Sequence, residues 1–67
     1  MTLKVGDYLY SEKFIGFIES EVSANMYGVT FNSRNGSETN YNIVSPLVID
    51  SMVDEKEWCT GEDPWKN

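Results

Sequence analysis

The side chains able to do chemistry in this sequence are eleven carboxylates, one thiol and nine aromatic rings; histidine is absent. Without an imidazole the commonest general base and metal ligand is missing. Cys59 alone cannot build a zinc site, and no neighbouring base activates it as a nucleophile. Beside Trp58 it reads as a small apolar residue packed under a ring. No Gly-x-x-x-x-Gly-Lys phosphate cradle occurs. Carboxylates pair at Glu19 and Glu21 and gather at Asp54, Glu55 and Glu57, but these positions read as solvated faces. A general acid needs burial to raise its pKa. The expectation is a protein that is not an enzyme and carries no cofactor and no metal.

Binding chemistry is what remains. Carboxylates steer an encounter with a cationic surface, and a ring that fills a pocket anchors it. Trp58 and Trp65 stand among Asp54, Glu55, Glu57, Glu62 and Asp63, an arrangement suited to both tasks. A second group lies near the N-terminus, where Tyr8, Tyr10, Ile15 and Phe17 crowd a short stretch. Either a bent strand buries rings on both its faces, or these residues form an exposed patch for a partner or a second copy. Asn35-Gly36-Ser37 matches a glycosylation sequon, but in this context it reads as a turn.

The elements that must position these residues follow from periodicity. Leu3 to Tyr10 reads as a first strand and Phe14 to Val22 as a second. In the second, Phe14, Gly16, Ile18, Ser20 and Val22 point one way and Ile15, Phe17, Glu19 and Glu21 the other. Gly16 marks a bend or a close backbone approach. Met26 to Phe31 is a third strand. The Asn35-Gly36 hairpin signal, within a longer polar loop, leads to a fourth from Ser37 to Val44. There Thr39, Tyr41 and Ile43 are expected to face the core, with Glu38, Asn40 and Asn42 outside. Ser45-Pro46 suits a helix start, yet Leu47-Val48-Ile49 is apolar and β-branched; it is read as a fifth edge strand. Asp54-Glu55-Lys56-Glu57 resembles a capping box with Asp54 as N-cap, giving one helical turn that returns Trp58 to the core.

Sixty-seven residues make one domain at most. A chain of this size buries only about 60% of the surface it exposes when unfolded. A cavity of roughly 300 Å³ would hollow out much of such a core, a further argument against an enzyme. The net charge is −6. Residues 1–53 carry six acids against Lys4, Lys13 and Arg34, and residues 54–67 carry five against Lys56 and Lys66, so half the charge lies in the last fifth. Such a field repels phosphate backbones and attracts basic surfaces. A lone cysteine makes no internal staple, and no stretch has the apolar core of a signal peptide or the length of a membrane span. A cytoplasmic location is expected.

Val5-Gly6-Asp7-Tyr8-Leu9-Tyr10 followed by Phe14-Ile15-Gly16-Phe17-Ile18-Glu19-Ser20-Glu21-Val22 resembles an SH3-like barrel of the KOW or Tudor type over residues 3–31. That resemblance implies five strands, a strongly bent second strand and a binding surface on loops at one end. KOW-type modules that touch RNA carry basic loops, where this chain has Glu12, Glu19 and Glu21. Nucleic-acid binding is therefore not carried over.

The expectation is a mostly β fold: a small five-stranded SH3-like antiparallel barrel over residues 1–60, with a short helical turn near the C-terminus. Residues 61–67 form an acidic tail, frayed unless Trp65 docks. The expected function is a small acidic module that occupies a basic surface on a larger protein. Its contact residues are Glu19, Glu21, Phe17, Tyr8, Tyr10, Asp54, Glu55, Glu57, Trp58 and Trp65. Size and charge resemble phage-encoded inhibitors of host nucleic-acid machinery, including anti-restriction and anti-CRISPR proteins and nucleic-acid mimics; the site of action would then be the host cytoplasm. Two other readings stay open. One is an SH3-like nucleic-acid or ribosome-associated accessory module, with Lys4, Lys13 and Arg34 on phosphates and Tyr8 or Tyr27 stacking. The other is a structural subunit of a virion assembly.

Overall fold

The computed structural model describes residues 3–55 and 57–66. Five antiparallel strands form one unclosed sheet in the order β4-β3-β2-β1-β5: β1 Tyr8–Tyr10, β2 Phe14–Ser23, β3 Met26–Ser33, β4 Thr39–Val44 and β5 Cys59–Thr60. One helix, α1 Pro46–Asp54, joins β4 to the segment before β5.

The first strand is shorter than its sequence suggests. Gly6 at φ 98° turns the chain, closed by Asp7 N–H donating to Lys4 O at 3.0 Å and Lys4 N–H donating to Asp7 Oδ2 at 2.9 Å. Strand β2 pairs with β3 as Phe17↔Thr30 and Ile18↔Val29, then shifts register between Ile18 and Ser20 and again between Glu21 and Ser23. Each bulge inserts a residue and reverses the facing of the residues after it. The simple alternation expected through Val22 therefore ends at Ile18.

Leu47 to Ile49 is helix, not a fifth strand. Ser45 is the N-cap, its hydroxyl accepting from Val48 N–H at 3.3 Å, with Pro46 in the first turn. Capping chemistry and burial override the weak β preference of the run. Ile49 is 1% exposed, and Met52 and Val53, three and four residues on, pack against the same cluster. That is the spacing of one helix face. Leu47, by contrast, is left 78% exposed. Asp54 accordingly ends α1 instead of capping a new turn, and Glu55 N–H closes it onto Ser51 O at 3.0 Å. Lys56, within the expected capping box, lies outside the described residues. The fifth strand is Cys59–Thr60, paired with β1 as Leu9↔Thr60 and Tyr10↔Cys59.

The core lies between one face of the sheet and α1. Leu9, Ile18, Val29 and Ile49 are buried, with Leu3, Tyr27, Phe31, Val44, Met52, Val53 and Trp58 packed around them. Gly16 is required there: a Cβ would sit 2.9 Å from Phe31 Cε1, so the bare backbone lets that ring lie across the sheet. The edge of Phe31 meets Trp58 with ring centroids 5.3 Å apart.

Candidate interaction surfaces

Register decides which side chains share the face away from α1. Val29 and Phe31 face the core, and they pair with Asn42 and Asn40. Thr30 and Gly28 face outward, and they pair with Tyr41 and Ile43. The expected facing of the fourth strand is thus inverted: Tyr41 and Ile43 are outside at 50% and 52% exposure, while Asn40 and Asn42 share the core side. Period-two alternation separated the two sets correctly; only pairing with β3 says which set is inside.

On that outer face, Tyr8, Phe17, Thr30 and Tyr41 form one row across four strands. Tyr10 and Ile15 pair directly alongside it. The Tyr8 and Phe17 rings tilt together at 4.9 Å, and Tyr8 stacks on Tyr10 at 6.1 Å. Tyr41 lies diagonally over Gly28: a Cβ on that glycine would meet Tyr41 Cζ at 2.8 Å and collide with the hydroxyl. Gly28 is buried beneath the ring. The helix packs on the opposite side, so no described element covers this face. Beside it a hollow of about 320 Å³ opens between Asp7, Tyr8, Tyr10 and Gly61.

A second surface lies on the core side where α1 does not reach. Phe14, Phe31, Asn40, Asn42 and Trp58 line a groove of about 250 Å³. Phe14 and Trp58 also border a larger hollow of about 560 Å³ with Glu12, Lys13, Glu57 and Trp65. Rings, amides and two carboxylates thus line two hollows that meet at Phe14 and Trp58.

One ion pair fixes the C-terminal segment beside them. Arg34 grips Asp63 through both terminal nitrogens, Nη1 to Oδ2 at 2.8 Å and Nη2 to Oδ1 at 2.7 Å. Arg34 Nε and Nη2 also donate to Ser11 O at 3.0 and 2.9 Å. The guanidinium sits 5.7 Å from the Trp65 ring centroid, a cation–π contact. The hydrogen bonds from Arg34, aided by one from Trp65 N–H at 3.0 Å, hold the Asp63 carboxyl below its ordinary range. The Trp65 ring, beside this guanidinium, stays 36% exposed.

Of the residues expected to meet a partner, the structure brings Tyr8, Tyr10 and Phe17 together on the outer face, and Glu57, Trp58 and Trp65 together around the larger hollow. Glu19 stands at the first bulge of β2, and it and Glu21 are exposed. Asp54 and Glu55 sit at the C-terminal end of α1 with no basic residue in its last turn. Asp54 shares a small hollow of about 120 Å³ with Leu3, Asp50 and Val53. The carboxylates do not converge on one spot. Tyr41 and Ile43 belong to the outer surface but read from sequence as core, and Asn40 and Asn42 gained their place in the groove from register alone. Among the described residues no three of the metal-ligating types gather as a cation site, and no helix is long and apolar enough to cross a membrane. Comparison with protein-family models, with curated proteins and with solved structures finds no match.

Proposed function

We propose that this chain is a small protein-binding module whose outer sheet face, carried on a net charge of −6, occupies a basic surface with an apolar centre on a larger partner. The observation that carries this reading is the uncovered row Tyr8, Phe17, Thr30 and Tyr41 with Tyr10, Ile15 and Ile43 beside it. Tyr8 and Tyr41, at about half exposure, supply desolvation area at low entropic cost, as interface anchors do. The net negative charge, to which exposed Glu19 at the first β2 bulge contributes, steers the approach. Asp54 and Glu55 stand at the negative end of the α1 dipole, an arrangement that costs stability and is consistent with a role outside the fold. The sheet order, a four-strand meander whose fifth strand returns beside the first, supports an SH3-like reading of the fold. Inhibition of nucleic-acid machinery by phosphate mimicry is the form of this function that the charge favours.

The phosphate-binding alternative is weakened by Arg34, which is engaged with Asp63 and Ser11 and leaves only Lys4 and Lys13 of the three cations that reading relies on.

Capture from host lysate, followed by titration of the recovered partner, tests the reading with two variants. One carries Tyr8→Ala with Tyr41→Ala; the other carries Glu19→Lys with Glu57→Lys. Each should raise the dissociation constant at least about tenfold at low salt, and the charge variant should matter less at about 0.5 M salt, where the Debye length is only a few ångströms. A partner held equally well by wild type and both variants would remove the proposal. Tight, salt-sensitive retention of bare RNA or DNA in filter binding would replace it with the nucleic-acid reading.

A further inference from the structure

Strand β4 is an outer strand of the sheet, and its register against β3 fixes its hydrogen-bond phase residue by residue. Ser33 N–H donates to Glu38 O at 3.0 Å, making these two a hydrogen-bonded pair at the start of the β3–β4 ladder. Such pairs alternate along an antiparallel ladder. With the register Phe31↔Asn40, Val29↔Asn42 and Tyr27↔Val44, it is Asn40, Asn42 and Val44 whose backbone groups turn toward β3. The neighbouring ladder agrees: Arg34 N–H donates to Lys13 O at 2.9 Å, so the even-numbered residues of β3 turn toward β2. The N–H and C=O groups of Thr39, Tyr41 and Ile43 therefore point away from the sheet, along an edge that no other strand among the described residues occupies.

Natural sheets blunt such edges with lysine, proline, a bulge or brevity. The opposite edge, β5, is two residues long. Strand β4 has six residues, Thr-Asn-Tyr-Asn-Ile-Val, with no charge, no proline and an unbroken register against β3. None of those devices occurs within the strand.

We propose that the occupant of this edge is β4 of a second copy, running antiparallel about a two-fold axis through Tyr41. That axis sets Tyr41 opposite its equivalent and Thr39 opposite Ile43 of the other chain. Outward-turned groups then meet outward-turned groups, giving up to six backbone hydrogen bonds, and outer-face side chains meet outer-face side chains. Charge selects this partner. A basic segment finds no carboxylate on the strand to pair with, whereas a neutral strand meets its like without desolvating an ion. The rest of each chain repels its copy, since both carry −6. Salt relieves this: a Debye length of about 8 Å at physiological ionic strength is under half the 17 Å shortest extent of the molecule. A paired edge about 20 Å long buries on the order of 500 Å², less than the roughly 1,200 Å² of stable complexes. The dimer is accordingly weak, and protein in the millimolar range is needed to populate it.

This proposal does not rest on the partner reading, and salt separates them: added salt strengthens the dimer and weakens a complex with a basic partner. Sedimentation equilibrium from about 20 µM to about 2 mM protein, in low and high salt, tests it together with amide exchange by NMR. Average mass should rise toward twice the monomer, more so in high salt. At low concentration the amides of Thr39, Tyr41 and Ile43 should exchange freely while those of Asn40, Asn42 and Val44 are protected. At high concentration the first three should slow at least about threefold, the change expected when most of the chain is paired. Tyr41→Lys sets two cations face to face and should keep the chain monomeric, although it lowers the net charge and so weakens global repulsion. Ile43→Pro removes an N–H that the monomer does not use and should do the same; a circular dichroism spectrum like that of wild type shows the fold intact in each. A monomer at 2 mM in high salt, association that survives both variants, or slowing at other amides would each overturn the proposal.

Discussion

Replacing Gly28 with alanine should change the sign of its effect when Tyr41 is removed. In the wild type an added Cβ collides with the Tyr41 hydroxyl and comes within 2.8 Å of Cζ, so the ring must swing off the strand. Tyr41 is half covered, at 50% exposure. Taking a large aromatic side chain as burying roughly 200 Å², that cover is about 100 Å², or at most about 2.5 kcal/mol at 25 cal/mol per Å². Against this, alanine regains about 0.5–1 kcal/mol that glycine loses in a strand through backbone entropy. Gly28→Ala alone should therefore destabilise by about 1–2 kcal/mol. In a Tyr41→Ala background the three atoms nearest the methyl are gone, and the same substitution should stabilise by about 0.5–1 kcal/mol. Urea denaturation of the four proteins, followed by circular dichroism, yields a coupling energy of about 2 kcal/mol. A coupling within about 0.5 kcal/mol of zero would show that the ring does not rest on Gly28, and the outer row would lose its fourth member.

Other tests bear on the core and the tail. Ile49→Ala empties a fully buried position between α1 and the sheet and should cost about 2–5 kcal/mol, enough to unfold much of so small a domain; denaturation midpoints measure it. Ser45→Ala removes the cap that starts α1, and a loss of about 0.5–2 kcal/mol in the same assay is expected. For the tail, the Asp63 carboxyl is depressed in the folded state by Arg34, so its contribution is complete above the ordinary carboxylate pKa of about 3.9 and disappears as pH falls through the depressed value. Trp65 fluorescence should hold steady from neutrality to about pH 4 and change below it, whereas in Asp63→Asn it should stay flat through that acid step.

Local sequence determined three of the strands and one turn, but it misplaced the start of β1 and read the first turn of α1 as a strand. Alternation placed strands at 14–22, 26–31 and 37–44 close to their observed bounds, because period two is a property of the strand itself. Asn35-Gly36 marked the turn correctly: Gly36 adopts φ 78° and its N–H reaches Ser33 O at 3.0 Å. The Ser45-Pro46 helix start was also written in the chain, though the β-branched run behind it argued the other way. Tertiary structure decided the rest. Whether Tyr41 or Asn42 faces the core depends on a pairing partner in β3, and shifting a strand by one residue exchanges its faces. Ile49 becomes core only because α1 folds back over Leu9, Ile18 and Val29. Arg34 and Asp63 lie 29 positions apart, and no local rule links them. The outer row and the open edge of β4 share that origin: composition supplied uncharged residues and rings, but which backbone groups and which faces remain free is set by the strands that pair and the one side that α1 covers.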